Sequence, residues 1–305
     1  MAKQGKSREV DVDGHRLELT NLDKVLWPAT GFTKAGVIDY YARIADAILP
    51  HLRDRPLTLK RYPNGVEAKS FYEKRCPSHR PDWVATAPVW SGRNEGDIDY
   101  CLCNDRATLT WMAQLAALEL HPSLSLADEI ERPTVLAFDL DPGEPAGILE
   151  CCRVSLQLRE MFGELDLECF PKTSGSKGLQ VYVPLNVEVT YEQTKPFAHA
   201  IAQTLERAQP DQVVSRMAKK LRKGKVFVDW SQNDQHKTTV AVYSLRARER
   251  PTVSTPVEWD EVERAAQEED PDALRFEASD VLERVKKHGD LFAPVLELRQ
   301  GLPAK

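Results

Sequence analysis

The segment Thr134-Val-Leu-Ala-Phe-Asp139-Leu-Asp141-Pro-Gly143 gives the clearest structural prediction in this 305-residue sequence. Its apolar run predicts a buried strand, and Pro142-Gly143 predicts the turn that ends it. Alternate side chains of a strand lie on one face, so Asp139 and Asp141 present two carboxylates together, while Leu140 points into apolar packing. Such carboxylates repel each other unless a cation lies between them, and hard oxygen ligands suit Mg²⁺ or Mn²⁺. A purely structural alternative stays open, because aspartate is common before a Pro-Gly turn.

Length and composition indicate a globular protein with a large core, built as one domain or as two closely packed lobes. The hydrophobic fraction is 42% and the charged fraction 29%, both ordinary values. No apolar run approaches the ~20 residues that span a bilayer, and the start lacks the apolar core of a signal peptide. We therefore expect a cytoplasmic protein with no membrane partner, whose six cysteines are reduced thiols. The spacings of Cys76 with His79 and of Cys101 with Cys103 disfavour structural zinc.

Charge is distributed unevenly along the chain. Residues 258–283 contain eleven acidic residues and two arginines, so the net charge of −6 divides into −9 in this segment and +3 elsewhere. Six of the ten residues from Arg216 to Lys225 are basic. This asymmetry is compatible with a basic groove beside an acidic flank, although a solvated helix face explains such a basic run equally well.

Hydrophobic periodicity and turn residues predict a mixed α/β fold. The predicted strands are a hairpin around Asp13-Gly14 and segments 56–62, 69–74, 98–103, 167–171, 179–183, 225–229 and 238–243. Predicted helices begin at the capping residues Thr33, Asp105 and Ser279 and cover 148–162 and 190–208, with Pro50 and His121-Pro122 ending the first two. We expect one catalytic unit, 1–305, with an N-terminal lobe of about 1–130 and a C-terminal lobe of about 131–295 that carries the metal site.

Three further features are expected to converge on the Asp139 strand. Asp229 ends an apolar run and is expected on a neighbouring strand, and three carboxylates would serve two divalent ions. The loop Thr173-Ser-Gly-Ser-Lys-Gly178 offers backbone N–H groups and a lysine to a polyphosphate, although it is not a Walker A sequence. The third feature is positive charge for phosphates, from Arg222, Lys223 and Arg246. Together they predict phosphoryl or nucleotidyl transfer with two metals.

A phosphatase is the rival enzyme class for the same aspartates. An Asp-x-Asp after a hydrophobic strand also begins haloacid-dehalogenase-type phosphatases, in which the first aspartate is a nucleophile. That pattern expects Thr or Val four residues after the first aspartate, in an Asp-x-Asp-Gly context, whereas this sequence has Gly143 after Pro142. Metal binding by Asp139 is therefore favoured over covalent catalysis.

Six ordered segments carry a family resemblance: Asn21-Leu-Asp-Lys-Val-Leu-Trp-Pro28, Leu59-Lys-Arg-Tyr-Pro-Asn-Gly65, Leu118-Glu-Leu-His121, Phe138-Asp-Leu-Asp-Pro-Gly143, Thr173-Ser-Gly-Ser-Lys-Gly-Leu179 and Val226-Phe-Val-Asp-Trp-Ser-Gln-Asn233. They resemble the polymerase domain of bacterial DNA ligase D, the primase-polymerase of bacterial end joining within the archaeo-eukaryotic primase superfamily. The resemblance covers about residues 10–295. It implies a two-lobed core with central mixed sheets flanked by helices, and leaves no room for the family's phosphoesterase and ligase domains.

The resemblance implies a role for each matched residue. Asp139, Asp141 and Asp229 look like the metal-binding triad, and His121 looks like the active-site histidine near the incoming nucleotide. The implied nucleotide-binding residues are Ser174, Lys177, Gly178, Gln180, Arg246, Lys60, Arg61 and Gln232. The implied DNA-binding residues are Lys24 and Lys34, which would hold a downstream 5′-phosphate, Phe71 and Tyr72, which would pack against bases, and Arg222 and Lys223. Without the resemblance, His121 would suit a helix end and the lone lysines a solvated surface.

Position 180 departs from the family pattern. The triphosphate motif usually continues Ser-Lys-Gly-Leu-His, whereas this sequence has Gln180, which can donate a hydrogen bond but cannot carry positive charge. The first hypothesis is a DNA-directed nucleotidyltransferase that fills gaps at double-strand breaks and prefers ribonucleotides. It would use Mg²⁺ or Mn²⁺ with NTP or dNTP substrates, and its expected partners are DNA ends or gaps with a 5′-phosphate, Ku and an ATP-dependent DNA ligase. The second is a weakly active or non-catalytic module that binds and bridges DNA ends.

Overall fold

The structure, a computed structural model, describes residues 7–92 and 94–303. Its first part is built from β1 (Arg8–Val12), β2 (His15–Leu19), β3 (Val25–Trp27), β4 (Phe32–Thr33), α1 (Lys34–Leu52), β5 (Leu57–Arg61), β6 (Phe71–Glu73), β7 (Thr86–Ser91), β8 (Gly96–Cys101), α2 (Arg106–Gln114) and β9 (Ala117–Pro122). The hairpin predicted around Asp13-Gly14 is confirmed by the antiparallel pair β1 and β2. The strands predicted over 56–62 and 69–74 are confirmed as β5 and β6, which pair antiparallel.

Helix α1 forms a wall of the first core. Thr33 caps it as predicted, since its hydroxyl accepts a hydrogen bond from the Gly36 N–H at 3.3 Å. The inward residues Val37, Tyr41, Ile44 and Ile48 are all buried. The prediction that Pro50 ends the helix is wrong, because α1 continues to Leu52. A proline so close to the helix end removes only one late backbone hydrogen bond, which limits its cost.

The first sheet is centred on β5, which pairs antiparallel with β6, β8 and β9, while β8 also pairs with β7. Asp105 caps α2 as predicted. The predicted continuation of α2 to His121 is wrong, because the helix ends at Gln114 and Ala117–Pro122 is strand β9. Ala116 makes the break with a φ of 56°. Every residue of β9 is buried. Leu118 and Leu120 alternate with Glu119 and His121 as in a strand, but Leu109, Met112, Leu115 and Leu120 also fit a helical period, and that period predicts a longer helix.

The second part contains β10 (Val135–Pro142), α3 (Ile148–Gly163), β11 (Phe170–Thr173), β12 (Leu179–Pro184), α4 (Tyr191–Ala208), β13 (Val213–Val214) and β14 (Val226–Asp229). The strand order is β11-β12-β10-β14-β13, and all pairs are antiparallel except β13 with β14. The helices predicted over 148–162 and 190–208 and the strands predicted over 134–141, 179–183 and 225–229 are confirmed. The strand predicted over 167–171 begins later, at Phe170.

The two faces of this second sheet have different environments. Leu136, Phe138 and Leu140 lie on one face and pack in a core that includes residues of α3 and α4. Val135 and Ala137 lie on the opposite face and pack against the core of the first part. Because side chains alternate along β10, the continuation of this second face carries Asp139 and Asp141. The acidic pair therefore faces the first sheet, and Leu140 is buried away from it as predicted.

The remaining elements are β15 (Leu245–Ala247), β16 (Pro251–Val253), α5 (Trp259–Glu268), α6 (Ala278–His288) and α7 (Pro294–Glu297). The strand predicted over 238–243 is wrong. In that segment the N–H groups of Thr239 and Ala241 donate to carbonyls of β9, the second at 2.8 Å, and Thr238 forms an isolated bridge with Ser123. The Val240 carbonyl instead accepts from the Lys172 ammonium at 3.1 Å, and no continuous ladder forms. Glu277, rather than the predicted Ser279, caps α6.

The core consists of two hydrophobic clusters, and residues after 240 return to the first of them, for example Tyr243 and Val253. The lobe boundary near residue 130 therefore stays a prediction. Cys76 and Cys101 form a disulfide, so the prediction that all cysteines are thiols is wrong for this pair. Cys101 ends β8, and Cys76 lies in the segment after β6. Because these two parts of the chain lie side by side, the Cα atoms of the two cysteines are 4.8 Å apart. Among the described residues, no helix is both long and apolar enough to cross a bilayer.

Candidate active site

Four neighbouring strands place one row of polar side chains across the second sheet. Lys172 on β11 pairs with Gln180 on β12, Gln180 pairs with Asp139 on β10, and Asp139 pairs with Asp229 on β14. Directly paired residues of antiparallel strands have neighbouring side chains on the same face. Asp141 lies two residues after Asp139 and shares that face. We call Lys172, Gln180, Asp139 and Asp229 the polar row.

The three aspartates predicted as a triad are close enough to perturb one another. Burial, followed by the charges of Asp141 and Asp229, raises the pKa of Asp139 to about 7, against opposing contributions from Gln180 and Lys172. Burial also raises the pKa of Asp141, as does Asp229, whereas Arg222 opposes the shift. The Arg222 guanidinium lies 3.8 Å from Asp141 Oδ2. This is the electrostatic signature of a site that favours added positive charge.

Asp229 is fixed by the turn that follows it. Its Oδ1 accepts from the Ser231 N–H at 3.0 Å and its Oδ2 from the Gln232 amide at 2.7 Å. The Asn233 side chain then bonds both the N–H and the carbonyl of Ala137 on β10, at 2.9 and 2.8 Å. Gln232 therefore contacts a member of the triad, and Asn233 ties this turn to the Asp139 strand.

The donor atoms fit a divalent cation that also binds phosphate. Within the described ranges, no three His, Cys, Asp or Glu side chains are grouped so that they alone could hold an ion. Mg²⁺ rarely needs such a cage, because it is usually bound by one or two carboxylates, with water and substrate phosphates completing its shell. The Asp139–Asp141 and Asp139–Asp229 pairs supply hard oxygen donors of that kind.

Asp139 and Asp141 open onto a cleft of about 680 Å³, and Asp229 lies beside Asp139 without lining it. The lining also includes Tyr72, His121, Ser174, Lys177, Gln180, Arg222, Gln232 and Arg246. The loop from Ser174 to Gly178 forms one side. The Ser174 hydroxyl accepts from the N–H groups of Ser176 and Gly178, each at 3.2 Å. Gly178 packs directly on β10, since a Cβ there would lie 2.0 Å from the Leu140 carbonyl oxygen. Lys177 is exposed and pairs with Glu144 at 2.8 Å.

A buried carboxylate that the sequence interpretation missed organises the positive side of the cleft. Glu119 is 1% exposed and lies 3.1 Å from His121, 3.4 Å from Arg246 and 3.5 Å from Lys60. Burial opposes its ionisation, but the hydrogen bond from His121 and the charges of Arg246 and Lys60 hold the pKa of Glu119 well below its usual range. The sequence did contain a signal for Glu119: it lies two residues before His121 in the Leu118-Glu-Leu-His121 segment, and residues two apart in a strand share a face.

His121 is thus on a strand and not at a helix end. Burial is the largest cause that lowers its pKa, although its bond to Glu119 opposes the shift. The Tyr72 ring lies edge-on to it, with 5.8 Å between ring centroids. Arg246, on β15, donates to the Ser174 carbonyl and so connects this cluster to the 174–178 loop.

The strand pair β5–β6 divides the predicted residues between two sites. Lys60 is paired with Tyr72, and Arg61 with Phe71. Lys60 faces Glu119 and lies 5.3 Å from the Tyr72 ring centroid, on the side of the cleft. Arg61 lies on the opposite face, where it stacks on Phe71 and pairs with Glu73 at 2.9 Å. The structure therefore places Arg61, predicted to bind the nucleotide, away from the cleft.

Arg61 lines a second, basic pocket together with Lys24 and Lys34. This pocket has a volume of about 360 Å³ and also includes Asn21, Asn64 and Gln114. Lys24 donates to Asn64 at 3.0 Å. Lys34 is buried at the start of α1, and burial, then Lys24 and Arg61, lower its pKa to about 8. Among the described residues no carboxylate lines this pocket, although Arg61 is paired with Glu73 outside it, and the three cations therefore suit a phosphate group.

The basic segment 216–225 contributes one residue directly to the cleft. Arg222 lies over the Phe227 ring at 3.7 Å, and this stacking holds its guanidinium beside Asp141. Lys223 is exposed to solvent. The cleft lining also contains basic residues that were not predicted, namely Lys74, His236, Lys237 and Arg248. They lie outside the six recognised segments, so only the fold brings them here.

Comparison with known proteins identifies the family. The family model for the LigD primase-polymerase domain matches residues 33–292. The chain belongs to the LigD primase-polymerase family. It is 45% identical over 282 residues to the multifunctional non-homologous end joining protein LigD of Mycolicibacterium smegmatis, covering 92% of this chain and 36% of that protein. It is 32% identical over 275 residues to the bifunctional LigD of Bacillus subtilis, covering 90% and 43%.

A solved structure gives the same result for the fold. The polymerase domain of Mycobacterium tuberculosis ligase D in complex with DNA superposes with a TM-score of 0.85 at 40% identity, covering 93% of this chain and 99% of that one. The fold is thus the archaeo-eukaryotic primase-like fold expected from the sequence, and the family is one of nucleotidyltransferases. The chain spans well under half the length of the LigD proteins that it matches.

Proposed function

We propose that this LigD-family chain is a DNA-directed nucleotidyltransferase that extends or fills DNA ends during non-homologous end joining. One observation carries the proposal: Asp139 and Asp141 line a cleft that Ser174, Ser176 and Lys177 also line, and Asp229 is paired directly with Asp139 on the neighbouring strand. Acidic oxygens that bind cations, placed beside the cations Lys177 and Arg246 that bind phosphate, suit transfer of a nucleotidyl group from a triphosphate.

Each part of the cleft has a distinct task in this proposal. Asp139, Asp141 and Asp229 would hold divalent cations, which when bound stabilise charge on the attacking and leaving oxygens. The 174–178 loop and Arg246 bind the triphosphate. Lys60 and His121, both held by Glu119, face the incoming nucleotide. The Tyr72 ring at the mouth is 61% exposed and offers a surface on which a base stacks.

The basic pocket supplies recognition of the DNA end. Lys24, Lys34 and Arg61 bind a downstream 5′-phosphate, and Phe71, 43% exposed, lies over Arg61 at the edge of that pocket. Support comes from the relative whose structure was solved in complex with DNA and from the name of the M. smegmatis relative, an end joining protein. We also propose that the chain prefers ribonucleotides and that it acts together with Ku and an ATP-dependent DNA ligase.

Extension of a gapped duplex tests this function. The substrate carries a 3′-hydroxyl primer and a 5′-phosphate across the gap, with NTP or dNTP and Mg²⁺ or Mn²⁺. We expect extension by the unmodified chain, more with NTP, and a loss on the order of a thousandfold or more in the Asp139→Ala variant. Asp260→Ala, on the outer helix α5, is the matched control and should extend normally. Equal extension by Asp139→Ala and the unmodified chain would overturn the proposal, as would binding of the gapped DNA without any extension. Phosphate release from small phosphoesters in the absence of DNA would favour the phosphatase alternative.

A further inference from the structure

The side chain of Gln180 is held at both ends of its amide. Its Nε2 donates to Asp139 Oδ1 at 3.0 Å, and its Oε1 accepts from the Lys172 ammonium at 2.5 Å. An amide has a donor end and an acceptor end that are not interchangeable. The neighbouring Lys172 and Asp139 therefore fix which way the amide points, because a flipped amide would direct N–H groups at the ammonium and oxygen at the carboxylate.

Lys172 is in turn fixed by three acceptors. It is fully buried, and besides Gln180 its Nζ donates to the Val240 carbonyl at 3.1 Å and to Ser254 Oγ at 2.6 Å. Ser254 uses its own proton on the Thr173 carbonyl, at 2.9 Å, so toward Lys172 it acts as an acceptor. Each of the three N–H groups of an ammonium has one partner in this arrangement. Burial of a charge is strongly unfavourable unless its hydrogen bonds are satisfied in this way.

We propose that Lys172 and Gln180 are positioning residues that orient the carboxylate of Asp139 for its cation. The proposal rests on the proposed function, since it assigns a task to two residues behind the metal-binding oxygens. Lys172 fixes Gln180, and Gln180 holds Asp139 Oδ1. Oδ2, which accepts no hydrogen bond from the described residues, is thereby left free for the ion. Residues that orient a metal ligand from behind typically change metal affinity by about 10–100-fold.

The positioning role and a purely electrostatic role of Lys172 predict opposite results. A buried positive charge close to the site repels a cation, so its removal should tighten metal binding if charge is all that matters. If Lys172 acts by holding Gln180, its removal frees the amide and the Asp139 carboxylate, and metal binding weakens. The sign of the change therefore distinguishes the two roles.

Binding of Mn²⁺ alone to the full chain, without DNA or nucleotide, provides the measurement. Electron paramagnetic resonance detects free Mn²⁺, and Asp139→Asn identifies the binding that depends on Asp139. We expect Gln180→Leu and Lys172→Met each to weaken that binding by about 10–100-fold. Gln180→Asn keeps the amide on a shorter stem, cannot span both partners, and should resemble Gln180→Leu. Gln180→His retains a ring N–H donor and should recover much of the affinity. Tyr191→Phe, which loses a buried hydrogen bond to Ser125 away from the site, is the matched control and should bind Mn²⁺ normally.

Two results would overturn this inference alone: normal Mn²⁺ affinity in Gln180→Leu, or tighter binding in Lys172→Met. Circular dichroism and thermal unfolding establish which variants fold. If Lys172→Met does not fold, the comparison of Gln180→Leu, Gln180→Asn and Gln180→His decides the matter, because Lys172 keeps Val240 and Ser254 in all three. Equal Mn²⁺ binding by Asp139→Asn and the unmodified chain would instead contradict the metal site and hence the proposed function.

Discussion

The cleft and the basic pocket lie on opposite faces of the same strand pair, and their electrostatics are built in opposite ways. In the cleft, Lys60 and Arg246 are balanced by the buried Glu119. In the pocket, Lys24 and Lys34 have no such carboxylate between them, and Glu73 pairs with Arg61 at the outer edge. The comparison shows that the alternation of side chains along β5 and β6 is enough to separate the proposed site of nucleotide chemistry from the proposed site of DNA-end recognition. The predictions below test this separation.

The largest effect is expected from Gly178→Ala, which perturbs the cleft only. The added Cβ would meet the Leu140 carbonyl oxygen at 2.0 Å, and either the loop or the catalytic strand must move. A displacement of about 1 Å costs on the order of a hundredfold in rate, measured as primer extension. Gly163→Ala, where a Cβ meets no atom within 4 Å, is the control and should keep full activity. Binding of 5′-phosphorylated DNA should be unchanged in both, and its loss in Gly178→Ala would contradict the separation.

Glu119→Gln and Glu73→Gln together compare how much the carboxylate at each site contributes to the free energy of unfolding. Removing a buried charge that balances Lys60, His121 and Arg246 should lower the free energy of unfolding by about 3 kcal/mol, measured by urea denaturation. Glu73→Gln removes the partner of Arg61, whose side chain is 21% exposed compared with 2% for Glu119, and should cost less, about 1 kcal/mol. Equal losses in the two variants would show that Glu119 is no more important to its site than the more exposed Glu73.

Lys34→Met should affect only the basic pocket. We expect it to reduce the preference for a 5′-phosphorylated gap over an unphosphorylated one by about tenfold, and to lower the slope of the salt dependence by about one. Fluorescence anisotropy with the two DNAs gives both values. Lys286→Met, on the exposed end of α6, serves as the control. A drop in nucleotide incorporation on an unphosphorylated template by Lys34→Met would mean that the two sites are coupled.

The smallest effect concerns pH. Because the pKa of Lys34 is lowered to about 8, this side chain loses its charge in the folded protein while it is still protonated in the unfolded chain. Between about pH 8 and the ordinary lysine pKa of 10.5, the unfolded state binds more protons, so the contribution of Lys34 to the free energy of unfolding rises with pH. Binding of a 5′-phosphate should change in the other direction and weaken from pH 7 to 9. In Lys34→Met this part of the pH dependence should disappear.

The elements with a clear local signal were predictable from the sequence. The strand that carries Asp139 and Asp141, the strand that ends at Asp229 and the loop at Ser174 were predicted, because alternation, capping and turn residues are local properties. The register that places Asp229 opposite Asp139 was not. Strand β9 was missed because its apolar residues also continue the helical period of α2, and with it the setting of His121 beside Glu119. The disulfide between Cys76 and Cys101 depends on the pairing of separate segments, which spacing alone does not reveal.

Residues whose role depends on tertiary neighbours were not predictable. In the sequence, Lys172 resembles any lysine in a short strand. Its three acceptors are Gln180, on the paired strand β12, and Val240 and Ser254, which come from distant parts of the chain. Arg61 was predicted to bind the nucleotide but lines the basic pocket, because the sequence does not state which face of β5 meets the cleft. Basic residues such as Lys237 and Arg248 reach the cleft from loops that carry no pattern of their own.

The order in which the two sites are encoded has a consequence for a chain emerging from the ribosome. The residues that line the basic pocket all precede position 117, whereas the register of β10 with β14 requires Asp229 to have been synthesised. A chain truncated before Asp229 would therefore contain every side chain that lines the basic pocket but not the third aspartate of the proposed metal site. Because residues after 240 complete the first core, the pocket side chains acquire their folded surroundings only when synthesis is nearly finished.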